Sequence, residues 1–242
     1  MRHLPWIASV LTLFCASPVL AQPAAPDSLK AQGEAIRDRF VAAIRACGVE
    51  PSFLPTVEVD TRPSLVSYNT EGRVVRISRW EELDPGMQGL VMAWSQQGTL
   101  GLAPEQMFGE IFNSFLLAHE LGHYLEHMSG RLNAVDLWQS EVEANQIAIA
   151  FWEQDAGQAE RLPMRVENFN RFLEGLPDPV PAGEDSRAWF IANYDGRLST
   201  DAAAYGWYQG AFVRTAWAQR ADRDFCGWVQ ANPPLPEEQV ES

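Results

Sequence analysis

Two histidines and a glutamate are grouped in the segment His119-Glu120-Leu121-Gly122-His123. The segment lies in an apolar run that predicts a buried helix. Residues four apart on a helix share a face and are about 6 Å apart along the axis, so both imidazoles could reach one tetrahedral metal ion. Glu120 lies one step round the helix and could face a water on that metal without binding the metal. The alternative is a core helix whose two histidines are satisfied by hydrogen bonds.

This spacing is the HExxH motif, in which the glutamate acts as general base. A second predicted helix follows and carries Glu141, then Ala144 three residues later. The chain here resembles the gluzincin zinc peptidases, in which a glutamate on the helix after HExxH is the third ligand. The resemblance implies one Zn²⁺ per chain held by His119, His123 and Glu141, with Glu120 as the catalytic residue. It covers about forty residues and identifies no subfamily.

Three other polar residues support or compete with these ligands. Asn145 occupies the place where the family commonly has aspartate, and the resemblance implies that its carbonyl accepts a hydrogen bond from a ligand histidine. Glu143 lies about 200° round the helix from Glu141, which predicts a solvated surface carboxylate facing away from the metal. His127 continues the row of histidines, but it would stand about 12 Å along the axis from His119, which predicts a residue at the helix end.

An aromatic stripe occupies the predicted helix over 201–220 and includes Tyr205 and Tyr208. Such a stripe usually packs in the core. The sharper hypothesis, taken from related zinc peptidases, is that Tyr205 or Tyr208 donates a hydrogen bond to the tetrahedral intermediate.

Residues 1–21 have the composition of a signal peptide. The apolar segment Trp6 to Phe14 is about nine residues long, too short to cross a bilayer, and small residues precede a cleavage point after Ala21. This predicts an exported chain, periplasmic or secreted. An uncleaved membrane anchor is the alternative.

Composition narrows the range of partners. The formal net charge is −14, Lys30 is the only lysine, and the sequence shows no basic patch, so nucleic acid is not an expected partner. No later stretch is apolar enough to predict a membrane span in the mature chain. A peptide or protein substrate is expected, and the sequence does not predict an oligomeric state.

Two cysteines, Cys47 and Cys226, lie outside the predicted signal peptide. In an oxidising compartment such a pair predicts a disulfide, and the alternative is two buried free thiols. A bridge here would stabilise the chain by about 4–5 kcal/mol in the chain-entropy model.

The periodicity of apolar residues predicts a mostly helical α+β fold, zincin-like, with a small N-terminal antiparallel sheet beside the HExxH helix. The predicted strands are 56–60, 64–68 and 73–78, with a hairpin turn at 69–72. The predicted helices are 28–47, 80–97, a motif helix from 104 to about 128, 134–154, 163–174, 186–193 and 201–220. We expect one domain over 22–231 and a disordered acidic, proline-rich tail over 232–242.

Together these features predict an exported zinc metallopeptidase that hydrolyses peptide bonds through a zinc-bound water activated by Glu120. One alternative is a noncatalytic binding or scaffold protein with a structural or vestigial zinc site. Another is a zinc hydrolase that acts on a different amide or on an ester.

Overall fold

The computed structural model describes residues 27–62, 64–97 and 101–240. The predicted signal peptide over 1–21 lies outside these residues. The fold is mostly helical α+β with one small sheet, as predicted. Among the described residues, no helix is both long and apolar enough to cross a membrane.

The helices and strands follow one another along the chain with short connections. The strands are β1 Thr56–Val59, β2 Val66–Asn69 and β3 Val74–Ile77. The α-helices are α1 Ser28–Ala46, α2 Pro85–Gln97, α3 Pro104–Glu110, α4 Leu116–Met128, α5 Leu137–Glu153, α6 Ala156–Ala159, α7 Leu162–Glu174, α8 Ser186–Asn193, α9 Ala202–Ala218, α10 Phe225–Ala231 and α11 Glu237–Val240. Segments Trp80–Glu82 and Arg131–Asn133 are 3-10 turns, and Ile111–Phe115 and Tyr194–Leu198 are π-helical.

The sheet is mixed, so the prediction of a purely antiparallel sheet is wrong. Its strand order is β1–β3–β2. Strand β2 pairs antiparallel with β3 across the predicted hairpin turn, whereas β1 runs parallel to β3. Val74, Val75 and Ile77 of β3 are buried, while every residue of β2 is only half-buried. The apolar third strand therefore takes the centre, and β2 takes the edge.

The region before the motif helix also differs from its prediction. Instead of one helix over 80–97, a 3-10 turn is followed by α2, which begins only at Pro85. The Asp84 side chain accepts the next two backbone N–H groups at 2.9 and 3.0 Å. Aspartate before proline is a strong helix start, and it separates α2 from the preceding turn.

One continuous helix carries the motif, and it consists of α3, the π-helical turn Ile111–Phe115 and α4. The backbone stays right-handed helical across both junctions. Within the π-helical turn, Asn113 donates from Nδ2 to the Ser78 carbonyl at 2.9 Å and accepts the Ser78 N–H at 3.3 Å. The helix is thereby tied to the end of β3. Gly130, with φ 72°, follows the helix, in agreement with the predicted end.

Helix α5 lies in the middle of the helical layer. It contacts α4, α7, α8, α9 and α10, and most of its side chains are buried, polar ones included. A smaller apolar cluster formed with α8 and α9 contains Val142, Trp189, Phe190 and Phe212. A helix enclosed in this way can hold a polar group in a fixed, dry position.

Cys47, which follows α1, and Cys226 in α10 form a disulfide, as predicted. Phe40 of α1 also contacts Phe225 of α10, with ring centroids 5.2 Å apart. The disulfide therefore joins two helices that already pack against each other.

The first part of the expected disordered tail packs against the end of α4. Asn232 is buried and accepts a hydrogen bond from Ser129 at 3.1 Å. The Leu235 backbone N–H donates to the Met128 carbonyl at 2.9 Å. The prediction of disorder is thus wrong for this part of the tail, because these contacts satisfy groups at the C-terminus of α4 that would otherwise need water.

Candidate metal centre

Helix α4 brings His119 and His123 together, as their spacing predicts. Their ring centroids are 4.7 Å apart, and the ring planes are nearly perpendicular. His119 is buried, whereas His123 is half-buried and lines a cavity.

Glu141 reaches the same place from α5. Its Oε2 lies 3.4 Å from His119 Nε2. One ligand atom from each of His119, His123 and Glu141 lies within 4.8 Å of the others, so this buried group could bind a metal ion. A tetrahedral zinc with bonds of about 2.0–2.1 Å holds its ligand atoms about 3.4 Å apart. The His119–Glu141 distance already matches this value, and the remaining ligand atoms, which lie within 4.8 Å, would have to move closer together to hold zinc.

A glycine lets the two helices approach closely enough to form this group. A Cβ on Gly122 would lie 2.9 Å from both the Cα and the carbonyl oxygen of Ala144. Helices α4 and α5 therefore touch backbone to backbone between the two histidines and one turn after Glu141.

A carboxylate on the same helix orients His123. Glu126 is completely buried, and its Oε2 lies 3.0 Å from His123 Nδ1. Ser140 donates to the same Oε2 at 2.7 Å. Burial by itself lowers the pKa of His123, but the hydrogen bond and charge of Glu126, together with the charges of Glu141 and Glu120, raise that pKa to about 9. With Nδ1 held in this way, His123 Nε2 is left for a metal, which is the usual carboxylate–histidine–metal arrangement.

Asn145 does not make the hydrogen bond that the resemblance implied. Its amide nitrogen donates to the backbone carbonyl of Glu141 at 2.9 Å, and its Oδ1 is buried with no partner. His119 Nδ1 is also buried with no partner. The side chain that does contact one of the two histidines in this way is Glu126, which lies 3.0 Å from His123 Nδ1.

Glu120 is buried beside the metal group without belonging to it. Burial raises the pKa of its carboxyl, and the charges of His119 and His123 offset only part of that effect. The backbone of Tyr68 in the edge strand β2 also acts on this carboxyl in the direction of a lower pKa. A carboxylate with a raised pKa is a better proton acceptor near neutral pH.

Helix α9 supplies two donors to Glu141. Gln209 donates to Oε2 at 2.7 Å, and Tyr205 donates to Oε1 at 3.3 Å. Burial by itself raises the pKa of Glu141, but the combined effect of the two histidines and Gln209 lowers it to about 2. The third candidate ligand is therefore held ionised, as metal binding requires.

The two tyrosines singled out from the sequence have different positions. Tyr205 contacts Glu141, whereas Tyr208 is buried in the apolar cluster with α8 and donates to the Ser186 carbonyl at 3.2 Å. The structure thus leaves Tyr208 outside the candidate site. Tyr205 also has its hydroxyl committed to Glu141, which does not favour a role as oxyanion donor.

The two other residues considered as ligands lie outside the metal group. Glu143 faces away from it as predicted, but the prediction of a solvated carboxylate is wrong, because Glu143 is buried. Arg131 donates to both its oxygens, at 2.5 and 2.6 Å. His127 lies near the end of α4 as predicted and is half-buried, with Nδ1 2.8 Å from the Tyr68 hydroxyl. Burial lowers the pKa of His127, so the neutral form is favoured.

A cavity of about 150 Å³ opens onto His123 and Glu141. Its other lining residues are Tyr68, Leu132, Leu137, Ser140 and Tyr194.

The sequence analysis did not identify Glu126, Gln209 or Tyr194 as residues of the site. Of these three residues, only Glu126 could have been predicted from its position in the sequence, because it lies three residues after His123 on the same helix.

No protein-family model, curated protein or solved structure matches this chain. The resemblance to gluzincins rests on the motif residues. Within the described residues, the firm result is a buried group of His119, His123 and Glu141 that could bind a metal ion.

Proposed function

We propose that the protein is an exported zinc metallopeptidase. The observation that carries the proposal is the position of Glu120, a buried carboxylate beside the group of His119, His123 and Glu141 but not a member of it. A site that serves only structure has no use for a second carboxylate next to its ligands. Two histidines, one carboxylate and an adjacent cavity suit a catalytic zinc site with one open position.

Each residue near the site has a role in this proposal. Zinc, when bound, would act as a Lewis acid that lowers the pKa of the attacking water and polarises the carbonyl of the substrate. Glu120 accepts a proton from the attacking water and passes it to the leaving amine. Glu126 keeps His123 in the tautomer whose Nε2 faces the metal.

The edge strand β2 supports a peptide as the substrate. Among the described residues it pairs with β3 alone, and Tyr68 on this strand lines the cavity. An extended peptide could add to this edge through backbone hydrogen bonds, which would bring a scissile bond next to Glu120. Leu132 and Leu137 give the cavity an apolar wall.

The deciding experiment compares wild type with Glu120→Gln, using a broad peptide library because the specificity is unknown. The variant keeps the size of the side chain but cannot accept the proton. It should keep zinc and fold while losing peptide hydrolysis by a factor of about 10²–10⁴ or more. Glu143→Gln is the matched control, since it also neutralises a buried glutamate, and it should keep its hydrolytic activity.

Other outcomes would point to other functions. The enzyme proposal fails if wild type binds zinc and cleaves no peptide in the library, and if Glu120→Gln has the stability and zinc binding of wild type. A noncatalytic zinc protein would then be the remaining function. If wild type hydrolyses an ester or a non-peptide amide instead, and Glu120→Gln abolishes that activity, the zinc chemistry stands and the substrate class is wrong.

A further inference from the structure

Both oxygens of the Glu141 carboxylate are engaged by side chains from α9. Gln209 Nε2 is 2.7 Å from Oε2, and the Tyr205 hydroxyl is 3.3 Å from Oε1. Gln209 Nε2 is also 2.9 Å from the Tyr205 hydroxyl oxygen. The three side chains therefore close a ring of hydrogen bonds on the side of Glu141 that faces α9.

The ring uses every available donor. One N–H of the Gln209 amide reaches Glu141 and the other reaches the Tyr205 oxygen, while the Tyr205 O–H donates to Glu141. An ionised carboxylate only accepts hydrogen bonds, so the amide nitrogen has to face it. Gln209 Oε1 is consequently buried with no partner. The orientation of the Gln209 amide is thus set by its hydrogen bond to Glu141 and not by a hydrogen bond to its own carbonyl oxygen.

We propose that Gln209, with Tyr205, is a positioning residue that sets the metal affinity of the His119, His123 and Glu141 group by fixing the plane of the Glu141 carboxylate. This inference rests on the proposed zinc site. Without the ring, the carboxylate could rotate about its terminal torsion, which is broad in free glutamate. Ligand groups held by neighbouring hydrogen bonds lose less freedom when the metal binds, so affinity rises.

If Gln209 had a purely structural role, its replacement would affect zinc affinity differently. Helices α5 and α9 pack closely, and Gln209 is only 8% exposed, so its replacement could weaken packing alone. Loss of packing lowers the stability of the metal-free protein but leaves the affinity of the folded protein for zinc unchanged. A positioning role lowers that affinity in the folded protein. Zinc affinity therefore separates the two roles, and activity is not needed as a readout.

The test measures zinc dissociation constants at constant pH by competition with a chromogenic chelator. Gln209→Leu should bind zinc about 10- to 100-fold more weakly than wild type. Tyr205→Phe removes one long hydrogen bond and should weaken binding by less than Gln209→Leu does. Gln146→Leu is the matched control. Its amide lies on α5 and bonds the side chain of Gln219 at 2.8 Å, outside the ring, so its zinc affinity should equal that of wild type.

Each result decides something. Wild-type zinc affinity in folded Gln209→Leu overturns the inference but leaves the proposed function standing. If Gln209→Leu does not fold, unchanged affinity in Tyr205→Phe overturns the inference, and weakened affinity supports it. An equal loss in Gln146→Leu also overturns it, because the effect would then be general. Absence of zinc binding in wild type removes the proposed function together with the inference.

Discussion

Gly122 of α4 lies against the backbone of Ala144 of α5, so that a Cβ on Gly122 would lie 2.9 Å from both the Cα and the carbonyl oxygen of Ala144. The contact lies between His119 and His123 along α4, and Glu141 stands one turn before Ala144 on α5. The distance between these two helices therefore sets how far Glu141 lies from the histidines.

Gly122→Ala should push α4 and α5 apart. The added methyl group meets backbone, which cannot rotate away, so we expect a loss of about 1–3 kcal/mol in the free energy of unfolding. Zinc affinity should fall as well. Urea unfolding and a zinc competition assay measure the two effects. Gly109→Ala is the control, because a Cβ there meets nothing within 4 Å, and it should stabilise α3 by about 0.5–1 kcal/mol. Wild-type stability in Gly122→Ala would show that the helices can separate without cost.

Glu141→Gln should lower the zinc content of the protein, whereas Glu143→Gln should lower its stability and leave the zinc content unchanged. Glu141→Gln removes a ligand and should lower zinc content strongly. Glu143→Gln weakens the buried pair with Arg131 and should cost about 1–3 kcal/mol of unfolding free energy while zinc content stays at the wild-type level. Metal analysis and urea unfolding of the purified variants give both quantities. Greater loss of zinc from Glu143→Gln would mean that Glu141 is the wrong carboxylate.

Glu126→Gln should weaken zinc binding about 10- to 100-fold. The variant keeps an acceptor oxygen near His123 Nδ1 but loses the charge that makes the imidazole a stronger ligand. Competition with a chelator measures the change. Glu143→Gln again serves as control, since it also removes one buried charge. If both variants bind zinc equally well, Glu126 only fills space in the core.

Protonation of His127 should lower the free energy of unfolding as the pH falls below about 6.5. Burial and the charge of Arg73 lower the pKa of His127, so the unfolded chain takes up the proton first. The stability contributed by neutral His127 is complete above the unfolded pKa and is lost as the pH falls through the folded pKa. His127→Gln should reduce the loss of stability between pH 7 and pH 5. An NMR titration that gives His127 a pKa above 6.5 would contradict this.

Local spacing predicted the parts of the site that lie on one helix. His119 and His123 follow from the helical period alone, and Glu126 could have been found in the same way. Glu141 came from a family resemblance, because no local rule says which of two glutamates on α5 faces α4. Gln209 lies 68 residues from Glu141, and nothing in its neighbourhood in the sequence distinguishes it from a surface glutamine.

The fold shows the same division between local and distant contacts. The bounds of α1 and the turn at Asn69 depend on nearby residues and were predicted well. The parallel pairing of β1 with β3 depends on which strand the core selects for the centre of the sheet, and alternation within each strand does not reveal this. Likewise, the proline-rich composition of the tail predicts disorder, and only the structure reveals its contacts with the end of α4.

The Cys47–Cys226 disulfide spans 179 residues and has a consequence for proteolysis. The exposed proline-rich connection between α7 and α8 lies between the two cysteines. A protease that cuts this connection would leave two fragments joined by the disulfide, with the histidines in one fragment and Gln209 in the other. Such a nicked protein would migrate as one species on a non-reducing gel and as two after reduction.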